Sequence, residues 1–249
     1  MHRILSVLAG IAMLAVSSPS SALMVSSAAS LRDVVTAIGQ EFQDTTGRRV
    51  SYNFAGSGAL ARQIEQGAPV DVFVSAGWAQ IERLQRRDLV AGEPRVLARN
   101  RLVVIIPSES RWRGRPVESL LRAEEVVRIA TGDPELVPFG AYAKRALEVA
   151  GLWDVVAAKV VFASNVRQAL AYADRGAVDA AIVYGTDARV AKRAVTLGVL
   201  PGSEGIKIEA VAVKLRRSDD PESDRFLTAL TADHARALFA RHGFLGVDP

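Results

Sequence analysis

The chain has 249 residues, of which 49% are hydrophobic and 23% charged, and it contains no cysteine. This composition fits a globular protein with room for two modest domains and excludes a disordered chain, a coiled coil, collagen and a disulfide scaffold. The 31 Lys and Arg residues against 27 Asp and Glu give a formal charge of +4. The basic residues stand singly or in short groups such as Arg86-Arg87, without interleaved aromatic residues. We therefore expect solvated faces and no nucleic-acid site.

The first residues have the pattern of a secretory signal peptide. His2 and Arg3 precede an apolar stretch over 4–16, and Ser20 and Ala22 supply the small residues of a cleavage site. The stretch is too short to span a bilayer, and a buried N-terminal helix is disfavoured because 4–16 has no polar face. We predict a signal peptide over 1–22, cut after Ala22, and a periplasmic location. Because the chain has no cysteine to carry a lipid, we expect the exported protein to be free of the membrane.

Beyond the signal peptide, short apolar runs alternate with amphipathic stretches, which predicts an α/β fold. The predicted strands are 24–27, 50–54, 70–74, 102–106, 127–130, 160–162, 180–184 and 210–214. The predicted helices are 31–43, 59–65, 78–86, 142–150, 166–174, 187–193, 223–231 and 232–241. Several strands are apolar on both faces, as buried parallel strands are.

Five junctions follow predicted strands, and loops at the carboxyl ends of strands form the usual ligand crevice of such folds. They contain Ser30, the Gly56-Ser57-Gly58 turn, the segment 132–140, the segment 164–166 and the segment 183–187. Backbone amides around Ser57 and at the helix that follows Pro138 could bind an anion. Each junction also has an ordinary interpretation as a cap or turn; Ser30, for example, is an acceptable N-cap with Asp33 three residues on.

Taken together, these junctions resemble the periplasmic molybdate-binding proteins of ABC importers along essentially the whole mature chain. The resembling stretches are AASL at 28–31, FAGS at 54–57 with LARQIE at 60–65 and GAP at 67–69, DVFVSA at 71–76, GDPE at 132–135 with VP at 137–138, YAK at 142–144, VR at 166–167, and IVYG at 182–185 with DA at 187–188. Each stretch is a weak signal alone, whereas their shared order and spacing make a strong one.

The resemblance implies a tetrahedral oxyanion held between two lobes by neutral donors. Those donors would be the hydroxyl and amide groups of Ser30 and Ser57, the amides of Phe139 and Val166, and the phenol of Tyr184. Molybdenum would bind as molybdate through these residues with no direct metal ligand, and no cofactor is expected. None of these positions is Asp or Glu, so protonated phosphate should bind poorly, and nothing separates molybdate from tungstate.

Two junctions depart from the family's pattern. Phe139 stands where the family more often has a small residue, so its ring either points away from the site or narrows it. Gly56 and Gly58 make the second junction more flexible than the family's serine-rich version. Asp133 and Asp187 are left out of the site because turn and N-cap roles explain them.

The resemblance further implies a two-lobed periplasmic binding protein of type II, in which the chain crosses between the lobes twice. We expect lobe one to comprise 23–104 and 213–249 and lobe two to comprise 105–212, with hinge strands at 102–107 and 209–215. A membrane permease and its ATPase are the implied partners of a protein that acts as a monomer.

The main alternatives are a sulfate or other oxyanion carrier and a hydrolase. His234 and His242 are eight residues apart, which is not the spacing of a helical metal pair, and the chain has no Gly-x-Ser-x-Gly motif and no phosphate-loop lysine. We therefore expect both histidines to have surface or packing roles and the protein not to be an enzyme.

Overall fold

The computed structural model describes residues 22–247. The predicted signal peptide, apart from Ala22, lies outside the described residues.

The first half of the described chain alternates strands and helices. Its elements are β1 (Leu23–Ala28), a 3-10 helix (Ala29–Leu31), α1 (Arg32–Thr46), β2 (Val50–Ala55), α2 (Ser57–Glu65), β3 (Val72–Ser75), α3 (Trp78–Gln85), β4 (Val90–Asn100) and β5 (Leu102–Pro107). The second half contains α4 (Val117–Arg122), β6 (Ile129–Gly132), α5 (Pro138–Val149), α6 (Trp153–Ala157), β7 (Val160–Ala163), α7 (Val166–Asp174), β8 (Ala180–Tyr184), α8 (Gly185–Ala188), β9 (Ala194–Val199), β10 (Ile208–Leu215), α9 (Glu222–Thr231) and α10 (Asp233–Arg241).

The strands form two five-stranded sheets, which confirms the α/β class and the two lobes. The first sheet has the order β2-β1-β3-β10-β4, and the second has the order β7-β6-β8-β5-β9. In the first sheet β2, β1 and β3 run parallel, and β10 is antiparallel to both of its neighbours, β3 and β4. In the second sheet β7, β6 and β8 run parallel, and β5 is antiparallel to both of its neighbours, β8 and β9. The expectation that buried apolar strands pair in parallel is therefore confirmed for β1 to β3 and for β6 to β8. It is wrong for β5 and β10, which pair antiparallel.

The chain passes between the sheets at Arg101, which separates β4 from β5, and again over 200–207, which separates β9 from β10. The expected lobe boundaries, after 104 and before 213, fall inside β5 and β10. Each of these strands keeps its ladder in one sheet along its length, so the crossings lie just outside the strands.

The strands β4 and β9 were not predicted, and both lie at sheet edges. Edge strands tolerate Pro94 in β4, and β9 is largely half-exposed, so neither has the apolar pattern of a central strand. The short helices α4 and α6 were also not predicted. The helix expected over 187–193 is instead α8, which ends at Ala188.

Helix α1 shows how the first lobe is packed. Val34, Val35, Ile38 and Phe42 recur at helical spacing and are buried, and the helix ends at Gly47, whose φ of 70° suits a glycine. The ring of Phe42 meets that of Phe226 edge to face at 5.2 Å, which joins α1 to α9. Among residues 22–247, no helix is both long and apolar enough to cross a membrane.

Candidate functional site

A small cavity lies where the two lobes meet, and all five predicted site residues line it. The lining residues are Ala28, Ala29, Ser30, Ala55, Gly56, Ser57, Ala76, Val137, Pro138, Phe139, Asn165, Val166 and Tyr184. The volume that the centre of a water molecule can occupy in this cavity is about 20 Å³. Adding the ~1.4 Å radius of water gives a rounded chamber roughly 3 Å in radius, which suits a compact ion of a few atoms. No lining side chain is ionised at neutral pH, so polarity comes from hydroxyl and amide groups.

Ser57 is the first residue of α2 and is 2% exposed. Its Oγ accepts a hydrogen bond from the N–H of Ala76 at 3.1 Å. A hydroxyl has one donor and two acceptor lone pairs, so this bond fixes the oxygen and leaves the O–H free to donate to a ligand.

Ser30 lies inside the 3-10 helix after β1 and is buried. The residue before that helix is Ala28, and no side chain caps either the 3-10 helix or α1. The capping interpretation of Ser30 is therefore wrong, and its hydroxyl remains available at the cavity wall.

The amides of Phe139 and Val166 belong to the first turns of α5 and α7. Pro138 opens α5, and Asn165 caps α7 by accepting the N–H of Gln168 at 3.1 Å. The first amides of a helix have no acceptor within the helix, and the helix dipole places partial positive charge there. Both N-termini therefore offer N–H groups to an anion in the cavity.

Tyr184 ends β8 and is 2% exposed. Its phenol donates to the carbonyl of Ala76 at 3.4 Å, which is long for such a bond. Burial raises the pKa of Tyr184 well above its usual value of 10, and the neighbouring Tyr142 and Asp187 raise it further. The phenol is therefore neutral, and its single O–H can donate to a ligand by turning from this long contact. Ala76, which the sequence did not single out, contacts Ser57 through its N–H and Tyr184 through its carbonyl.

The ring of Phe139 points into the second lobe. It is 2% exposed, and its centroid lies 6.1 Å from that of Tyr184. Its Cε1 lies 2.7 Å from where a Cβ on Gly132 would stand, so glycine at that position makes room for the ring. The large side chain is thus accommodated between Tyr184 and Gly132.

Close backbone approaches show that the lobes are closed. A Cβ on Gly56 would overlap the carbonyl oxygen of Ser164 and lie 2.9 Å from Cγ1 of Val137. A Cβ on Gly58 would overlap the carbonyl oxygen of Leu136. These contacts join α2 of the first lobe to the start of α5 and the end of β7 in the second.

The two aspartates left out of the site have different roles. Asp133 makes a turn, because its Oδ1 accepts the N–H of Glu135 at 2.9 Å, as predicted. Asp187 is not an N-cap, since α8 begins at Gly185 after Tyr184. It is fully buried, and Nε of Arg167 lies 2.6 Å from its Oδ1. Burial raises the pKa of Asp187 to about 7, although Arg167 opposes the shift.

The expected surface role is confirmed for His234, whose side chain is exposed. Its Nε2 lies 3.7 Å from Oε2 of Glu41. In the part of the chain that the structure describes, no group of three or more His, Asp or Glu residues could hold a metal ion.

Comparison with known proteins agrees with this geometry. The family model described as Bacterial extracellular solute-binding protein matches residues 23–245. The molybdate-binding protein ModA of Escherichia coli is 33% identical over 226 residues, which cover 89% of this chain and 88% of the relative. The periplasmic molybdate-binding protein of Azotobacter vinelandii superposes with a TM-score of 0.78 at 24% identity, covering 91% of this chain and 99% of the other. The sulfate-binding protein SubI of Mycobacterium tuberculosis has a TM-score of 0.79 at 18% identity, covering 92% and 88%, and shows the shared fold.

The two-lobed fold and its small interlobe cavity thus define a bacterial extracellular solute-binding protein of the ABC-transporter kind. Within this class the chain belongs to the ModA family of molybdate-binding proteins, which bind a ligand and are not enzymes.

Proposed function

We propose that the protein captures molybdate, and tungstate equally well, in the interlobe cavity and delivers it to an ABC importer. The ligand-binding residues are Ser30, Ser57, Phe139, Val166 and Tyr184. The observation that carries this proposal is that donors from both lobes converge on one closed cavity without an ionised side chain. Helix N-termini favour anions, so a dianion needs no countercharge there.

The donor set accounts for tight binding. Roughly seven hydrogen bonds to a charged group, at about 1.5–3 kcal/mol each, give on the order of 10–20 kcal/mol gross. Desolvation of the dianion and its lost motion oppose much of this, which leaves about −10 to −12 kcal/mol and a dissociation constant of tens of nanomolar or lower.

The same donors set the selectivity. Phosphate at neutral pH carries a proton that needs an acceptor, and no carboxylate lines the cavity. Sulfate carries no such proton, so its smaller size is what disfavours it: its oxygens leave the hydrogen bonds of a rigid cavity long. Tungstate resembles molybdate in size and charge, so this site should not distinguish the two.

Ligand bound to both lobes stabilises the closed form, because the open form lacks half of the contacts. A permease then recognises the closed form, and its ATPase drives uptake. After export and cleavage of 1–22, the protein is a monomer in the periplasm. Its lobe one contains the first sheet. Its lobe two, expected over 105–212, contains the second sheet between the crossings at Arg101 and 200–207 and is inserted between the two segments of lobe one.

Calorimetric titration of the purified protein with molybdate, tungstate, sulfate and phosphate tests the proposal. We expect tight one-to-one binding of molybdate and tungstate, with weak or undetectable heats for sulfate and phosphate. A strong sulfate signal without a molybdate signal would make the protein a sulfate carrier, and no signal from any of the four anions would refute an oxyanion site.

A further inference from the structure

Three charged residues lie beside the proposed donors without lining the cavity. Asp33 follows Ser30 by three residues, Arg167 follows Val166 directly, and Asp187 follows Tyr184 by three. Nη2 of Arg167 lies 2.6 Å from Oδ2 of Asp33, and its Nε lies 2.6 Å from Oδ1 of Asp187. One guanidinium therefore contacts carboxylates from both lobes. Asp33 is in α1 of the first lobe, whereas Arg167 is in α7 and Asp187 in α8 of the second.

The two halves of this network differ in burial. Asp187 is fully buried, and within residues 22–247 its oxygens accept no hydrogen bond of good geometry, so its charged form depends on the guanidinium of Arg167. Removing one partner of a buried ion pair is strongly destabilising, which makes this half a permanent part of the second lobe. It also holds the long Arg167 side chain in one direction, toward the first lobe.

The contact with Asp33 is of the opposite kind. The side chain of Asp33 is 41% exposed and that of Arg167 is 27% exposed, so water can replace this contact when the lobes separate. It joins the first turn of α1 to the first turn of α7, the turns next to Ser30 and Val166. A contact made only in the closed form shifts the equilibrium toward that form.

We propose that Arg167 is a positioning residue for anion capture: anchored by Asp187, it binds Asp33 across the cleft only when the lobes are closed, and so retards release of the bound anion. The inference rests on the proposed function. A charged group outside the cavity thus keeps the neutral donors of the two lobes close to each other. Because the guanidinium is paired with carboxylates, Arg167 does so without placing a free positive charge beside the anion.

The test removes the Asp33 charge and leaves the buried pair intact. The purified wild-type protein and the variants Asp33→Asn, Asp33→Glu and Glu41→Gln are loaded with radiolabelled molybdate, and release is followed after a chase with unlabelled molybdate. Glu41 is the matched control, because it is an exposed carboxylate on the same helix whose neighbour, His234, belongs to the same lobe. Thermal melting checks that each variant is folded.

We expect Asp33→Asn to release molybdate about two- to fivefold faster, the upper part of the range for a partly exposed ion pair, with little change in the association rate. Asp33→Glu should restore slow release in part, and Glu41→Gln should match the wild type. Release from the wild type should accelerate with added salt, and this dependence should flatten in Asp33→Asn, which a purely structural role would not produce.

Equal release rates and equal salt dependence in the wild type and Asp33→Asn would overturn the inference, as would a change confined to the association rate. These outcomes are distinct from failure of the proposed function. If the wild type itself does not bind molybdate, both the proposed function and the inference are wrong. If the wild type binds tightly and Asp33→Asn releases molybdate at the same rate, only the inference is wrong.

Discussion

Closure of the cleft can be tested at Gly58, the second residue of α2. A methyl group at this position would overlap the carbonyl oxygen of Leu136 on the opposite lobe. The obstructing atom is backbone and cannot swing aside, so Gly58→Ala should hold the lobes apart. The helix itself should be stabilised by about 0.5–1 kcal/mol, because alanine replaces a helical glycine.

The loss of affinity follows from the donors on each lobe. An open cleft leaves the anion with Ser30 and Ser57 and withdraws the three donor residues of the second lobe. At about 1.5–3 kcal/mol for each charged hydrogen bond, the loss is roughly 4–9 kcal/mol, which weakens the dissociation constant at least about 1000-fold.

Molybdate titration by calorimetry measures the affinity, and urea denaturation of the unliganded protein measures the free energy of unfolding. The matched control is Gly246→Ala, because nothing lies within 4 Å of the Cβ added there. Wild-type affinity in Gly58→Ala would refute the reasoning, since an anion that binds without closure does not need the second lobe. A large loss of unfolding free energy would also contradict it.

Three further predictions address single side chains. Ser57→Ala should weaken molybdate binding by about 1–3 kcal/mol in calorimetry and also lower the unfolding free energy, because it leaves the buried N–H of Ala76 without its acceptor; unchanged affinity would move the site elsewhere. Phe139→Ala should lower the unfolding free energy in urea by about 3–5 kcal/mol, with Phe139→Leu as the milder control, because the ring is buried beside Tyr184; a stable variant with altered anion selectivity would instead place the ring in the cavity. The pKa of Asp187 is raised from 3.8 to about 7, so the folded protein holds a proton there that the unfolded chain releases, and this group's contribution to stability falls as pH rises from about 4 to 7. Asp187→Asn lacks this loss, so its melting temperature should lie below that of the wild type by a margin that narrows as pH rises from about 4 to 7, and parallel curves of melting temperature against pH would count against it.

Local pattern was sufficient for three of the elements that carry the donors. Helices α2 and α7 were predicted from apolar spacing, α7 with its exact bounds, and β8 was predicted because it is apolar on both faces. The five site residues were predicted from the family resemblance. Within each sheet, the rule that loops after parallel strands meet at one end explains why the residues of that lobe lie together, and the cavity then joins the two sets.

What the sequence could not show depends on contacts between distant segments. The role of Asp187 is set by Arg167 and by complete burial, and neither is visible in the local pattern, which suggested only a cap. The direction of the Phe139 ring depends on the space above Gly132. The strand β4 contains Pro94 and polar residues, and it is a strand only because β10, more than a hundred residues later, pairs with it.

The pairing of β10 also bears on the order in which the protein can assemble. Since β10 lies between β3 and β4, β4 has no neighbour in the first sheet until residues 208–215 are available. The second sheet needs only the continuous segment from β5 to β9, so it can be completed while the chain beyond 199 is still emerging from a ribosome or a membrane channel. A chain that emerges from its amino terminus therefore completes its second sheet before its first, and a truncation before β10 leaves β4 as an unpaired strand.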